Sequence, residues 1–132
     1  MQLAQLEHLN VTVSDPARTA ERLCTLFGWK IRWQGTAIDS GYSVHVGTEH
    51  QYLALYSPGQ SCDASSSSSY HTRGGLNHVG LVVEDIEAAE TAILAAGYES
   101  YFHADYAPGR RFYFRDEDGI EFEIISYTQA DK

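Results

Sequence analysis

At 132 residues, with 43% hydrophobic and 20% charged side chains, the chain has the size of one globular domain, or of two small halves sharing a core. Nine Lys and Arg against eighteen Asp and Glu leave a formal charge of −9 and a pI near 4.9, which argues against nucleic acid or an anionic membrane as partner. Cys24 and Cys62 are too few for a disulfide framework, and no leader-like segment or membrane-length apolar run is visible, so a cytoplasmic location is expected.

The first element lies in LEHLNVTVSD (6–15). Strand side chains alternate, so Leu9, Val11 and Val13 share one face and His8, Asn10 and Thr12 the other. Asp15 then Pro16 is an N-cap followed by a proline at the first helical position, and Ala20, Leu23, Cys24 and Phe27 form the apolar stripe of that helix. Gly28 stops it, as a left-handed C-cap requires. Strands are expected near 30–38, 41–47 and 51–57.

Residues 58–75, with five consecutive serines, cannot build a core and are expected to be a linker or mobile loop, with His71 and Arg73 as solvated residues. The chain then repeats itself. LNHVGLVVED (76–85) lies over the opening stretch with His78 on His8, 70 positions on (78 − 8), and Asp85 on Asp15. Asp85 caps a second helix whose stripe is Ala89, Ala92, Ile93 and Ala96, with Gly97 at its end. Strands follow near 98–104, 110–116 and 120–126, so each half reads βαβββ.

A lone histidine on an apolar strand is usually a satisfied core residue; a histidine at the same place in both halves is a pair. By parity His8 and His78 face away from the helices. In RDEDGIEFEIIS (115–126), Glu123 stands mid-strand between Phe122 and Ile124, an expensive place for a carboxylate without a partner. Glu121, nearer the turn, is expected to be a solvated edge residue. Two imidazoles and one carboxylate match a facial triad suited to Fe, Mn, Ni, Co or Zn as divalent ions, with open positions for substrate. Overlaying 44–57 on 113–126 puts Ala54 opposite Glu123, so a fourth, symmetry-related ligand is missing. Tyr52 and Tyr56 flank Ala54 on the same face, and Arg111 and Tyr113 share a face in the second half. Tyr suits a pocket wall, being apolar with a polar tip, and Arg111 can clamp an anionic group. His45, His50 and His103 are expected at the surface or at a pocket rim.

From residue 4 to about 127 the chain resembles the vicinal oxygen chelate superfamily, which includes glyoxalase I, methylmalonyl-CoA epimerase, extradiol dioxygenases, fosfomycin-resistance transferases and bleomycin-binding proteins. The likeness rests on the paired βαβββ halves, on the strand-borne His8 and His78, and on RDEDGIEFEI, which is similar to the family ending D-P-D-G-N-x-x-E-L. Glu117 and Ile120 replace the usual Pro and Asn in the turn, and Glu123 stays in register. The resemblance implies an α+β fold in which two tandem βαβββ modules form a cup-shaped, barrel-like mixed sheet. It implies one domain over 1–132, with module one at 4–57, linker 58–75 and module two at 76–127, and a homodimer in which modules are often swapped. It further implies a divalent metal on His8, His78 and Glu123. Ala54 departs from glyoxalase I and the epimerase, which carry Glu or Gln there. Phe112-Tyr113-Phe114 is similar to a run in the fosfomycin enzymes, where the Tyr contacts substrate, although Asn10 stands where those enzymes have Thr. The resemblance to the extradiol enzymes offers His45 or His103 as the counterpart of their acid-base histidine.

Three functions remain open at this point. One is a metal-dependent lyase, isomerase, dioxygenase or transferase in which Glu123 and Tyr113 take part in the chemistry and Asn10, Tyr52, Tyr56, Arg111 and Tyr113 line the substrate site. Another is a metal-free protein that sequesters a small molecule. The third is a structural or regulatory dimer.

Overall fold

The structure, a computed structural model, describes residues 2–63, 68–106 and 109–127. It divides into two compact units, Met1–Asp63 and Ala64–Lys132. The first runs β1 (His8–Thr12), α1 (Pro16–Phe27), β2 (Lys30–Ala37), β3 (Gly41–Gly47) and β4 (Tyr52–Ser57), with sheet order β1-β4-β3-β2. The second repeats it with β5 (Val79–Val82), α2 (Ile86–Ala95), β6 (Ser100–Tyr106), β7 (Gly109–Arg115) and β8 (Glu121–Ser126), in the order β5-β8-β7-β6. In each unit the first strand lies parallel to the last and the other pairings are antiparallel, so the architecture is α+β and consists of two βαβββ modules.

Local chemistry accounts for the helices. Asp15 accepts from Arg18 N and Pro16 opens α1; Gly28 closes it at φ 70, where a Cβ would be strained. Asp85 accepts from Ala88 N in the same way, and Gly97, at φ 100, follows the Ala96 cap of α2. The apolar stripe of α1 puts Ala20 and Leu23 against Val44, Val46, Leu53 and Leu55 of the sheet, all at most 5% exposed. In the second unit Phe112, Phe114, Phe122 and Ile124 are all at most 1% exposed on one face of the β8-β7 pair, with Ile93 of α2 wholly buried.

Residues 64–67, most of the serine run, lie outside the described residues. Next to them the expected linker has structure: Ser69–His71 form a 3₁₀ turn capped by Ser68. His71 and Arg73 are exposed, as expected of solvated residues. Strand β6 also differs from a plain strand. The ladder slips between Tyr101 and Ala104, and Phe102 sits there at φ 53, 73% exposed. Left-handed backbone costs a bulky residue about 1–2 kcal/mol, and bulges of this kind redirect side chains toward one face.

Candidate functional site

Paired strand residues project to the same side, so the register defines the face of each sheet opposite its helix. In the first unit His8 pairs with Tyr52, Asn10 with Ala54, and Thr12 with Tyr56, while His45 pairs with both Ala54 and Trp33. These side chains form a row of rings across the sheet. His8 stacks on Tyr52 at 4.8 Å, Tyr52 on His45 at 4.7 Å, and His45 meets Trp33 at 5.0 Å. The Arg32 guanidinium lies 4.3 Å from the Tyr52 ring centre, a cation–π arrangement. Burial, then the neighbouring charges of His8 and Arg32, hold the His45 ring below its usual value, so it is a neutral ring at physiological pH. His8 is half exposed, with Nδ1 2.9 Å from Glu7. Tyr56 donates its hydroxyl to Ile38 O at 3.0 Å, which secures the β2–β3 turn where Asp39 and Ser40 take positive φ.

The second unit gathers charge on the corresponding face. His78 Nε2 lies 3.2 Å from Glu123 Oε1, and Arg111 donates to Glu123 Oε2 at 3.2 Å. Tyr113 pairs with Glu123 across the sheet and meets the His78 ring edge-on at 5.6 Å. Burial first, then the Glu123 carboxylate, raises the Tyr113 hydroxyl above its usual value, so it keeps its proton. Arg111 Nε is buried with no partner, a donor left over after Glu123 is satisfied. Gly80 pairs with Glu123, and a Cβ there would meet Glu123 Oε1 at 3.8 Å, an ordinary van der Waals contact, so the carboxylate does not itself require glycine at this position. The first unit inverts this pair, with the larger Asn10 beside the small Ala54.

The pair His78–Glu123 fits a divalent cation. Donors about 2.0–2.2 Å from one ion stand about 3.0–3.4 Å apart for octahedral to tetrahedral angles, and these two are 3.2 Å apart. Among the described residues no group of three or more His, Cys, Asp and Glu side chains is assembled for a metal. His78 and Glu123 belong to the second unit and His8 to the first.

The expectation for Glu121 is corrected. It is 4% exposed, not a solvated edge residue. Tyr70 donates to its Oε1 at 2.5 Å, Tyr101 to its Oε2 at 2.6 Å, and Arg115 lies 3.5 Å from Oε2. Burial pushes this carboxyl up, but the hydrogen bonds from Tyr101 and Tyr70 and the charges of Arg115 and His78 outweigh it, leaving Glu121 ionised and below the usual range. The hydroxyls of Tyr70 and Tyr101 are both pushed up to about 12, Tyr70 chiefly by its bond to Glu121 and Tyr101 chiefly by burial. The sequence carried one sign of this: Glu121 shares the parity of Glu123, so it had to face the same side.

Two further placements bear on the site. His103 lies on the helix side, stacked on Phe112 at 5.8 Å and 2.6 Å from Glu90, away from the face that carries His78. The offset of 69 holds for β4 on β8, but β3 aligns with β7 at 68, because the second hairpin loop is one residue longer; His45 therefore matches Tyr113.

The turn before β8 carries a pH-sensitive group. Asp116 Oδ1 accepts from the backbone N–H of Asp118 and Ile120, while its Oδ2 is buried without a partner. Burial first, partly offset by those two bonds, raises the Asp116 carboxyl from 3.8 to about 6. Between those values the folded chain holds a proton the unfolded chain has lost, so this residue's contribution to stability falls as pH rises through the interval. Asp116→Asn is expected to have no advantage near pH 4 and a higher Tm than the parent at pH 7, read by thermal melts across that range. An advantage confined to low pH would contradict the assignment.

The family model described as Glyoxalase/Bleomycin resistance protein/Dioxygenase superfamily matches residues 5–124. No curated protein matches the chain. Among solved structures, SMU.1112c aligns with a TM-score of 0.77 at 20% identity, covering 94% of this chain and 99% of that one. A glyoxylase/bleomycin resistance protein/dioxygenase domain from Frankia sp. EAN1pec gives 0.77 at 22% identity, with 95% and 98% covered. A variant of the fosfomycin resistance protein FosX from Listeria monocytogenes, complexed with Mn(II) and dihydroxypropylphosphonic acid, gives 0.69 at 15% identity, with 94% and 93% covered. These likenesses bear on the fold.

Proposed function

Because the chain belongs to the Glyoxalase/Bleomycin resistance protein/Dioxygenase superfamily, we propose that it is a divalent-metal-dependent enzyme acting on a small substrate with adjacent oxygen atoms. The observation that carries this is the His78 Nε2–Glu123 Oε1 pair, two donors at the spacing that one shared ion requires. In this reading His8, His78 and Glu123 hold Fe, Mn, Ni, Co or Zn, and both modules act as one domain over 1–132. Bound there, the metal supplies Lewis-acid polarisation of a substrate oxygen.

The chain's own groups do the rest. Arg111, whose Nε has no partner, orients a carboxylate- or phosphonate-like group. The Tyr113 hydroxyl, which keeps its proton and is hydrogen-bonded to Glu123, would turn that proton to a substrate oxygen that gains negative charge. Asn10 and Tyr52 line the site, and Tyr56 contributes its ring, its hydroxyl being used at Ile38. The FosX complex with Mn(II) and a phosphonic acid supports the choice of cofactor and of an anionic oxygen ligand. Lyase, isomerase, dioxygenase and transferase chemistry are all compatible with these parts. A cytoplasmic homodimer is the assembly and place we propose; among the described residues no helix is long and apolar enough to cross a membrane.

Elemental analysis of protein purified without chelators or a histidine tag tests this. About one transition-metal ion per chain is expected, and no uptake on titration would overturn it. A second reading, metal-free capture of a small molecule, is favoured by the ring row His8–Tyr52–His45–Trp33 around Ala54. Ligand affinity that survives chelation would select it.

A further inference from the structure

The segment that follows the serine run is tied to the candidate ligand His78 through one side chain. Tyr70, in the 3₁₀ turn, places its hydroxyl 2.5 Å from Glu121 Oε1 and 3.4 Å from His78 Nδ1. A phenol has one proton and two lone pairs. Two oxygens 2.5 Å apart need that proton between them, and the second carboxylate oxygen is held by Tyr101 at 2.6 Å. With its proton committed to Glu121, the Tyr70 oxygen can face Nδ1 only as an acceptor. The other ring nitrogen, Nε2, points at Glu123 Oε1.

We propose that Tyr70 is a positioning residue for His78: it accepts the Nδ1 proton and thereby leaves the Nε2 lone pair for a divalent cation beside Glu123. The sequence Glu121–Tyr70–His78 is a carboxylate acting on an imidazole through an intervening phenol. Outer-shell acceptors of this sort fix the tautomer and ring angle of a ligating histidine. The same contact gives the stretch after the serines a task, since Asn77 Nδ2 also donates back to Ser69 O at 3.0 Å and closes the loop beside His78. The importance for metal binding rests on the function proposed above; the hydrogen-bond direction can be tested without metal once Glu123 is removed.

The test separates the two. In metal-free Glu123→Ala nothing from Glu123 competes for a proton on Nε2, so long-range ¹H–¹⁵N spectra at a pH where the ring is neutral should show His78 protonated on Nδ1. In Glu123→Ala/Tyr70→Phe that preference should disappear. In the otherwise native chain, Tyr70→Phe should weaken Zn²⁺ binding, read by calorimetry, about 10–100-fold, whereas Tyr101→Phe, which also bonds Glu121 but is not bonded to His78, should change it less than about twofold. An Nε2-protonated His78 in Glu123→Ala, or equal and measurable Zn²⁺ affinities for Tyr70→Phe and the parent, overturns the inference. An Nδ1 proton in a chain that takes up no Zn²⁺ upholds the inference and removes the metal reading alone.

Discussion

Glu123→Ala is expected to abolish stoichiometric metal binding while leaving the fold intact. The side chain is 13% exposed and sits between His78 Nε2 and Arg111, so its loss removes the only anionic donor of the proposed set and leaves a guanidinium beside the cation site. Loss of an outer-shell partner typically costs 10–100-fold in metal affinity, so loss of a ligand together with an uncompensated positive charge should exceed about 100-fold. Bound metal per chain should fall to background and any metal-dependent turnover with it. The far-UV circular dichroism should be unchanged, because the neighbours that build the core, Phe122 and Ile124, point to the other face. Full metal occupancy in this variant would show that Glu123 is not a ligand.

One residue away the expected effect changes kind. Phe122→Ala should destabilise the chain by about 3–5 kcal/mol, the usual range for a buried Phe cut back to Ala. Phe122 is 1% exposed and stacks on Phe114 with centroids 5.1 Å apart and ring planes 14° apart. Phe112, Phe114 and Ile124 close around it on strands pinned by their own ladders, so the void has little means of collapsing. For a domain of this size that loss corresponds to a fall in Tm of roughly 10 °C or more, read by thermal unfolding. A fall of under about 3 °C would mean that the second module's core is not organised around this ring. Residues 122 and 123 thus separate stability from chemistry on one strand: the pleat sends one side chain into the core and the next to the open face.

Much of the fold was legible because its signals are local. The period-2 alternation, the Asp15 and Asp85 caps and the glycines at 28 and 97 each reflect steric or hydrogen-bond rules that operate within a few residues. The repeat supplied the remainder, since two copies of one pattern place His8 at the start of β1 and His78 one residue before β5, not on the strand itself as the sequence suggested. Less was legible in the second hairpin, where one added loop residue moves β7 by a position against β3 and puts Tyr113, not Phe114, opposite His45. The bulge at Phe102 had no sequence signal, because no glycine marks its left-handed backbone.

Glu121 and Glu123 show where reading from sequence stops. By itself the sequence determined the strand, its parity and therefore the face both carboxylates share, and it determined that family membership extends over residues 5–124. Only the tertiary structure decided which carboxylate is confined. Glu121 is bound by a tyrosine 51 positions earlier, just after the serine run, and by another 20 positions earlier across the sheet, while Glu123 meets His78 and Arg111 and stays 13% exposed. Alternation along a strand is set by the covalent geometry of neighbouring residues, whereas the solvation of a carboxylate is set by whatever distant groups fold against it.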